Sequence, residues 1–591
     1  MDREVARVLI ESLLQRLSRD QTHFHLPDGR LSENEVVALR ILAGIPEPKS
    51  HEQAPPTPPA PKLDLAALSR PAMPPDQIRL CLDFGTAMSK AWASGAMLEN
   101  TFPLVLGRPA DGIDILAAPS SIFITGTGHM YFGAAAERQH ESEIHLGRHR
   151  FDNIKRLLSE VEPGLDLDEV PLEAGIDPTS SGLTKGDLVV LYLGWLTDMA
   201  LKALQATVED QAPDLLKTYS DLRAIRRRFA IPCFEHAVDD VPSSVRAEWA
   251  EKVMESALIR AQVVADTFSG RWNSLTASEA RAVLQAVRAT NLTALTLFCS
   301  PHSVREPVAA GATRFEDHIA GQETTTGTAR RLMLVVDAGA GTTDFALFQS
   351  FSKAGSDETT FALIANAVRM SRIAGNRVDA VLRPLILRAC KVHPENGSPW
   401  NEEEFSIIKA DLSSQIRSLK QQLFAAGSVS ISLRPGASGV LTLKDLEDDP
   451  TYQELGRNLM GQRDELFAKA LSEESLEGFK AIISRVGRPI PIYVLLTGGS
   501  ARLPVVQAIA NGTMSIGGVK FEFKLITDPP RWIVELPREL SELTAREFAQ
   551  CAVAIGGSAP ELPKEQSDLM APVTPPRQGV RTLPRFQVTG T

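Results

Sequence analysis

Cysteine is scarce in this chain, and the cysteines that occur are isolated from one another. There are five among 591 residues, and no two of them form a C-x-x-C pair. Structural zinc sites and disulfide frameworks both need cysteines at short, repeated spacings. The sequence therefore predicts neither of them and favours a reducing, cytoplasmic setting.

Long apolar runs and an excess of positive charge are missing as well. No stretch approaches the roughly 18 to 20 apolar residues of a membrane-spanning helix, and the opening residues MDREVARVLI carry acidic side chains where a secretory signal has a basic segment. The net charge of −11 gives no electrostatic footprint for nucleic acid. We therefore expect neither a membrane nor a nucleic acid as a partner. We expect the basic run RRR at 226–228 to be a solvated helix end or strand edge.

The two ends of the chain differ in composition from its body. Apolar residues at helical spacing in 3–18, and a helix start near Ser32 and Glu35, predict a small helical module over 1–45. The following text, IPEPKSHEQAPPTPPAPK, is too rich in proline to pack, so 46–77 is predicted to be an extended linker. Residues 558–591 are again rich in proline and are predicted to be a disordered tail.

The body, from 78 to 557, alternates short β-branched runs with longer amphipathic stretches, which is typical of an α/β fold. The predicted strands are IRLCLDF, SIFITGT, RRFAIPC, RRLMLVVDA, DFALFQS, SVSISLR and IYVLLTG. The predicted helices cover about 187–208, 243–267, 276–289, 402–425 and 452–486.

A first candidate phosphate-binding turn lies in LCLDFGTAMSKAWA. A strand ends there at Asp83 and is followed by Gly85, Thr86, Ala87 and Met88, and then by Ser89 and Lys90. A glycine lets backbone N–H groups approach a phosphate, small hydroxyl side chains add donors, and the aspartate can hold a hydrated metal ion. Taken alone, the segment also matches an ordinary tight hairpin.

A second turn of the same kind lies in LMLVVDAGAGTTDFALF. Its residues are Asp337, Gly339, Ala340, Gly341, Thr342, Thr343 and Asp344. Two such turns, each with an aspartate at the end of an apolar strand, indicate a duplicated fold with lobes at 78–330 and 331–557. In that arrangement the hairpins face each other across a cleft and hold the β- and γ-phosphates from both sides, with Mg²⁺ screening the charge.

A third segment, IYVLLTGGSARLPVVQAI, carries a strand through paired glycines into a helix that starts near Leu503. The residues at the turn are Gly498, Gly499, Ser500 and Arg502. Paired glycines let an adenosine and its α-phosphate lie against the backbone at a helix N-terminus.

With these three segments, the chain resembles the nucleotide-binding ATPase domain of the DnaK-type heat-shock proteins, within the superfamily that also holds actin and the sugar kinases. The resemblance covers about 78–557. It implies a two-lobed actin-like ATPase fold made of duplicated ribonuclease-H-like domains. It also implies ATP or ADP with Mg²⁺ as ligands, with Asp83 and Asp337 holding the metal through water.

Two further matches separate this family from the rest of the superfamily. FDNIKRLL resembles the family's K-R-L segment and places Lys155 at the catalytic lysine, while VREPVAAGA resembles N-E-P-x-A-A and makes Glu306 the residue that orients metal-bound water. The resemblance implies that Asp337 or Asp344 also orients the nucleophile. Actin-like filament proteins and sugar kinases share the hairpins but not this lysine and Glu-Pro combination.

The segments SRIAGNRVD and IRSLKQQL resemble the parts of the family that contact ribose and adenosine, through Gly375 and Lys420. The chain departs from the family pattern at several neighbouring positions, each of which would weaken binding or hydrolysis. These departures are Arg417 for a glutamate, Gln421 for an arginine, Ala340 for a glycine, and Ala87 with Met88 for a hydroxyl and an aromatic residue.

The resemblance implies a DnaK-like ATPase in the bacterial cytoplasm that acts as a nucleotide-dependent, chaperone-like switch. Because few residues follow 557, we expect no peptide-binding domain after it, and we expect a protein partner at the N-terminal module or at an insertion near 235–298. Two alternatives stay open: an interaction protein that binds nucleotide without hydrolysis, and an actin-like filament protein. A phosphotransferase is a further alternative, for which the sequence holds no substrate-pocket signature.

Overall fold

The structure is a computed structural model that divides into two compact units, Met1–Lys62 and Leu63–Thr591. The residues it describes are 18–19, 24–25, 61–66, 78–96, 100–107, 116–143, 148–160, 164–214, 222–232, 243–292, 303–313, 329–352, 359–392 and 400–566.

The first unit is described at one pair of short strands. β1 (Ser18–Arg19) pairs antiparallel with β2 (Phe24–His25). Apart from Ser18, which lies in β1, the helices predicted for the module at 1–45 are outside the described residues. So is the proline-rich part of the predicted linker, 46–60.

The second unit begins earlier than the predicted end of that linker at 77. Leu63 and Leu65 are partly buried against the first hydrophobic core. Between them, the backbone N–H of Asp64 donates to Oγ1 of Thr267 at 3.1 Å. Leu63 and Leu65 therefore hold this part of the predicted linker against the core. The proline-rich sequence around them had predicted an extended chain.

The first large sheet combines an antiparallel meander with parallel strands. Its strands are β3 (Arg79–Asp83), β4 (Met88–Ser94), β5 (Thr101–Pro103), β6 (Ala117–Pro119), β10 (Arg226–Ile231) and β11 (Val304–Arg305). Their order is β11-β10-β3-β4-β5, and β6 also pairs with β4. β3, β4 and β5 are antiparallel, whereas β3, β10 and β11 are parallel.

The second large sheet repeats this pattern. Its strands are β12 (Ala329–Ala338), β13 (Thr343–Ser352), β14 (Thr359–Ser371), β17 (Ile490–Thr497), β18 (Thr513–Ile516), β19 (Val519–Leu525) and β20 (Lys564–Gln566), in the order β18-β19-β17-β12-β13-β14-β20. β12, β13 and β14 form an antiparallel meander, and β12, β17 and β19 are parallel. In both sheets, then, the first strand of the antiparallel meander has a parallel neighbour on its other side. That neighbour pairs in parallel with one further strand, and both come later in the chain.

Two small sheets complete the strands. β7 (Ser121–Ile124), β8 (Met130–Phe132) and β9 (Phe151–Asp152) are ordered β8-β7-β9. β15 (Ser428–Leu433) and β16 (Ala437–Thr442) form a separate hairpin. In β15 the apolar residues are buried and the serines exposed, which is the alternation of a strand with one face on the core.

The described helices lie between these strands. They are α1 (Ala134–Glu143), α2 (Arg156–Glu160), α3 (Lys185–Gln211), α4 (Ser243–Phe268), α5 (Ala277–Ala289), α6 (Glu306–Gly311), α7 (Gly375–Ala389), α8 (Glu402–Ala426), α9 (Leu443–Glu447), α10 (Pro450–Ala470), α11 (Glu473–Val486), α12 (Pro504–Gln507), α13 (Arg531–Val534) and α14 (Arg538–Ser558). Among them, none has the length and apolarity that crossing a bilayer requires.

Capping explains where the long helices begin and where one predicted helix divides. Thr184 and Asp187 form a capping box at the start of α3. The helix predicted at 452–486 is two helices, α10 and α11, because Ser472 accepts a hydrogen bond from the backbone of Ser475 and starts a new helix there. The other predicted helices and all the predicted strands are confirmed within a few residues.

The segment near 235–298, where a partner-binding insertion was expected, contributes to the first core over its described part. α4 and α5 bury Met254, Leu258, Val264, Val283 and Leu284 in that core. Their apolar faces are therefore already used for folding.

α14 packs against strands of both large sheets, although in the chain it follows every strand of the second sheet except β20. Beyond its last turn, Arg79 donates to the carbonyl of Ala559 at 3.1 Å, and Arg228 donates to that of Gly557 at 3.1 Å. The run at 226–228 thus belongs to a strand inside the sheet rather than to the expected solvated edge; Arg227 is 1% exposed, and Arg228 is half-buried. The last carbonyls of a helix need donors, and these arginines supply them.

The described chain continues past the point at which the predicted tail begins. Lys564–Gln566 forms β20, which adds in parallel to the edge strand β14. The prediction of disorder from 558 is therefore wrong as far as 566, because the backbone there completes a sheet edge that composition does not reveal. Residues 567–591 lie outside the described part.

Candidate functional site

The first predicted hairpin is formed by β3 and β4, and it ends in a buried ion pair. Asp83 and Lys90 are directly opposite in the ladder. Nζ of Lys90 lies 3.0 Å from Oδ2 of Asp83, and both side chains are buried. The turn requires a glycine, since a Cβ at Gly85 would lie 1.9 Å from the carbonyl oxygen of Met88.

Hydroxyl groups behind this hairpin hold the turn in place. Ser120 donates to the carbonyl of Gly85 at 2.7 Å and lies 2.9 Å from the hydroxyl of Ser89. Ser89 was expected to face a phosphate, but it is fully buried on the face of β4 opposite to Lys90. Its hydroxyl therefore supports the turn instead of the ligand.

The second predicted hairpin, between β12 and β13, places two carboxylates opposite each other. Asp337 pairs with Asp344 in the ladder, and both are buried. Oδ1 of Asp337 accepts a hydrogen bond from Thr497 at 2.9 Å. The amide of Gly339 donates to the carbonyl of Thr342 at 2.9 Å and closes the turn.

The turns of the two hairpins contact each other. A Cβ placed on Gly341 would lie 2.7 Å from Oγ1 and 3.3 Å from Cβ of Thr86. The two glycine-bearing turns therefore face each other, as the sequence predicts for a cleft that holds phosphate from both sides.

Lys155 and Glu306 are brought together between these elements. Lys155 directly precedes α2 and Glu306 is the first residue of α6, and the two side chains form a buried ion pair. They are 3% and 6% exposed. Two residues 151 positions apart, each predicted to be catalytic from a separate motif, thus meet in one site.

The electrostatics of the site favour added positive charge. Burial, followed by the carboxylates of Glu306 and Asp83, raises the pKa of Asp337 to about 7. Burial also raises the pKa of Glu306, against the opposing effect of Lys155. Burial opposes the charge of Lys90, but Asp83 outweighs it and raises the pKa of the ammonium group. The carboxylates of Asp337 and Glu306 are thus held in surroundings that disfavour their negative charge.

The third predicted segment lies against the second hairpin. Gly498 has φ +87, and a Cβ there would lie 2.3 Å from the carbonyl oxygen of Ala338. Ser500 donates its N–H to Ala338 at 2.8 Å and its hydroxyl to the carbonyl of Gly339 at 2.8 Å. A glycine is needed both for the left-handed backbone and for the close approach.

The predicted adenosine-contacting residues converge on the same place. Nζ of Lys420 lies 3.2 Å from the carbonyl of Gly375 and 2.7 Å from Asp379. A Cβ at Gly375 would lie 2.7 Å from the hydroxyl of Ser500 and 3.4 Å from Cα of Ala340. Elements of the second half that are far apart in sequence therefore line one side of the site.

The remaining predicted residues differ in what their side chains can reach. Space is open where a side chain at Gly499 would stand, and Arg502 is exposed. The hydroxyl of Thr343 donates to the carbonyl of Ile373 at 2.7 Å, so it positions the turn. The carbonyl of Ala87 accepts from the backbone of Ser120 at 2.9 Å.

One arginine reaches across from the second half to the first. Nη1 of Arg417, on α8, lies 3.5 Å from Oε1 of Glu137 on α1 and 3.4 Å from Sδ of Met88. Burial raises the pKa of Glu137, although Arg150 and Arg417 oppose the shift. Arg417 thus links the two halves of the second unit.

A cavity of about 630 Å³ lies further out along the same helices, and it does not include the hairpins. Glu141, Asp411, Ser414 and Arg434 contribute to its wall. Arg434 is held by Asp411 at 2.8 Å. We place the chemistry at the hairpins because the buried lysines and carboxylates are there.

No group of three or more histidine, cysteine or acidic side chains is arranged to ligate a metal within the described ranges. The donor set nevertheless suits a hydrated Mg²⁺. That ion keeps several waters and uses one or two carboxylates together with phosphate oxygens. Asp83, Asp337 and Glu306 supply buried carboxylates whose mutual repulsion a cation would relieve.

Lys90 was not among the residues predicted to bind ligand, although it lies at the centre of the site. The sequence feature that identifies it is its pairing position in the hairpin, directly across from Asp83. In an antiparallel hairpin the residue opposite Asp83 shares its face, and counting back across the turn would have identified it.

No family model matches the chain, and a search of the curated proteins found no match either. What can be said of function therefore rests on the geometry of the site.

Proposed function

We propose that this chain binds ATP together with Mg²⁺ between its two hairpins and acts as a nucleotide-dependent switch, as a DnaK-like ATPase with a two-lobed actin-like fold. One observation carries the proposal. The turns at Thr86 and Gly341 contact each other, with buried lysines and carboxylates beside them.

The repeated sheet pattern supports the fold assignment. In each half, a three-stranded antiparallel meander extends into two parallel strands, and a hairpin joins the first two strands of the meander. A duplicated ribonuclease-H-like domain has this arrangement. In such a duplicated domain, the two turns face one shared cleft.

The proposed phosphate site uses backbone amides and two lysines. Glycine-bearing turns expose N–H groups to an anion, and such groups act strongly where water is excluded. Lys90 and Lys155 add positive charge from the first half of the chain. Asp83 and Asp337 would hold Mg²⁺ through water, and the ion would neutralise charge on the β- and γ-phosphate oxygens.

In the proposed hydrolysis, water attacks the γ-phosphorus in line with the leaving oxygen. Lys155 stabilises the negative charge on the transferred group, and Glu306 with Asp344 orients the attacking water. Catalysis would then come from positioning and from charges that are fixed in advance.

The switch follows from the separate origin of the two hairpins. A triphosphate held by both turns links the halves of the molecule, and loss of its γ-phosphate removes one of the links. Arg417 with Glu137 provides a second contact between the halves.

A second candidate is nucleotide binding without hydrolysis. The observation in its favour is the buried ion pair of Lys155 with Glu306, because each group must leave the other before it can act on a phosphate or on water. The departures at Ala87 and Ala340 agree with this candidate.

Calorimetric titration with ATP, ADP and AMP, with and without Mg²⁺, tests the proposal, together with phosphate release by the wild-type protein and a Lys155→Ala variant. Binding of ATP and slow phosphate release that depends on Lys155 support the ATPase. Tight ATP binding with no phosphate release over hours selects the second candidate, and absence of nucleotide binding overturns both.

A further inference from the structure

We propose that the surface at the C-terminal end of α4 is a docking site for a short Leu-x-Leu segment, which the chain's own residues 63–66 occupy as a releasable anchor. The anchor lies between the proline-rich sequence at 46–60 and strand β3. Its release would lengthen the tether that precedes β3 and carries the N-terminal unit. This inference concerns the first half of the body and does not depend on nucleotide binding.

The contacts of this segment resemble those of a bound peptide. Leu63 and Leu65 are partly buried against the first hydrophobic core. Between them, the backbone N–H of Asp64 donates to Oγ1 of Thr267, near the end of α4, at 3.1 Å. An extended peptide is recognised in this way, by a main-chain hydrogen bond together with alternate side chains that enter an apolar surface. The amide of Ala66 then donates to Oδ1 of Asp64 at 3.0 Å and turns the chain away.

The same contacts indicate that the segment can leave the surface while the body stays folded. Its backbone forms neither a strand nor a helix, and both leucines keep part of their surface in contact with solvent. Its hydrogen-bond acceptor on α4 is a side chain, so its departure breaks no ladder of backbone hydrogen bonds. A segment held by few buried apolar contacts opens locally, at a lower free energy than the whole unit.

The alternative is that 63–66 is a fixed part of the fold. A fixed part opens only when the first half unfolds, so its opening increases steeply with urea. A releasable anchor opens in the folded protein and depends little on urea. Trypsin cleavage after Lys62, which is exposed, distinguishes the two, because the protease needs an undocked chain on both sides of the bond and its rate then follows the open population.

The first experiment measures this cleavage in dilute urea for the wild-type protein and two docking variants. We expect Leu63→Ser/Leu65→Ser to be cleaved after Lys62 about 10- to 100-fold faster than the wild-type protein, because it loses the apolar contacts. Thr267→Val should be cleaved about 2- to 10-fold faster, because it loses one hydrogen bond. Leu165→Ser, which replaces a leucine that is 47% exposed, is the matched control and should be cleaved at the wild-type rate.

The second experiment tests the docking site with a separate peptide. A fluorescent peptide of residues 61–68 is titrated against the full-length proteins and followed by anisotropy. A short tether presents its segment at an effective concentration on the order of 1 mM, so a segment that stays docked must bind as a peptide with a Kd below about 1 mM. We expect Leu63→Ser/Leu65→Ser to bind the peptide at least about 10-fold more tightly than the wild-type protein, whose own segment competes.

A peptide with serine in place of both leucines is the control and should bind neither protein. The unfolding midpoint of each variant checks that its body is folded, and Thr267→Val carries the cleavage test if the double variant is not. Equal cleavage rates of the wild-type protein and the docking variants, or cleavage that follows global unfolding in urea, would overturn the inference. So would equal peptide affinities of the two proteins, including no binding by either at several millimolar peptide.

Discussion

Thr86 and Gly341 lie in contact although they belong to hairpins from opposite halves of the chain. A Cβ on Gly341 would stand 2.7 Å from Oγ1 of Thr86. Each turn directly follows a strand that ends near a buried aspartate. The contact thus brings the two aspartates and the lysines near them into one site.

Gly341→Ala should weaken ATP binding about 10-fold, because a methyl group would push the turns apart at a cost of about 1–3 kcal/mol. Calorimetric titration measures the effect. Adding Thr86→Ala removes the atoms nearest to the new methyl group and should restore part of the affinity. Gly461→Ala on α10, where a Cβ meets no atom within 4 Å, is the control and should bind ATP normally.

Lys155→Ala should slow phosphate release about 100-fold or more, as removal of a transition-state charge does, with a smaller change in ATP affinity. The substitution leaves Glu306 buried without its ion-pair partner. The variant Lys155→Met/Glu306→Gln removes both charges and should fold as well as the wild-type protein while remaining inactive. Phosphate release at the wild-type rate in either variant would contradict the assigned role.

Asp337→Asn should stabilise the ligand-free protein, and more so at pH 8 than at pH 5. The pKa of Asp337 is raised from 3.8 to about 7 in the folded protein. The stability that protonated Asp337 contributes is therefore fully present below the pKa of the unfolded state. It is lost as the pH rises through 7, because the buried carboxyl group then ionises. Urea unfolding in EDTA at both pH values measures the difference. A gain that shrinks from pH 5 to pH 8 would contradict the prediction.

The variant should also lose Mg²⁺-dependent ATP binding, so that stability and function change in opposite directions. Such a trade-off is expected where charges are crowded for a ligand. If Asp337→Asn instead bound ATP normally in the presence of Mg²⁺, the proposed water-mediated role of Asp337 would be excluded.

Arg417→Glu should accelerate ADP release up to about 5-fold, because it replaces an attraction between the halves by a repulsion from Glu137. The partly exposed pair limits the effect to about 1 kcal/mol. Stopped-flow displacement of a fluorescent nucleotide measures the rate. The double variant Arg417→Glu/Glu137→Arg should restore slow release, and Arg538→Glu, an exposed residue at the start of α14, should release ADP normally.

The elements of the fold that carry their own local signal could be predicted from the sequence. β12 reads as a nearly continuous apolar run, as strands buried on both faces do, and α8 opens with a capping box formed by Asn401 and Glu404. β14 and β20 were missed. β20 depends on pairing with an edge strand, and its three residues have no apolar pattern.

The candidate site was predictable where a residue lies in a recognisable turn or motif. Lys155 and Glu306 were singled out separately, and the structure places them in contact. The role of Arg79 and Arg228 at the end of α14 was not predictable, because it depends on a helix that follows more than 300 residues later. Lys90 was missed because its meaning depends on cross-strand register.

A disulfide between the two turns tests the central claim most directly. In Thr86→Cys/Gly341→Cys, the distance between the two Cβ positions is 3.3 Å, slightly shorter than the roughly 3.5 to 4.5 Å of a disulfide, so a small separation of the turns allows the bond. We predict that the oxidised variant does not bind ATP, that reduction restores the weakened binding expected of a side chain at 341, and that ATP slows oxidation, with Thr86→Cys alone unaffected by oxidation. Equal ATP affinity of the oxidised and reduced forms would show that the nucleotide does not bind between the hairpins.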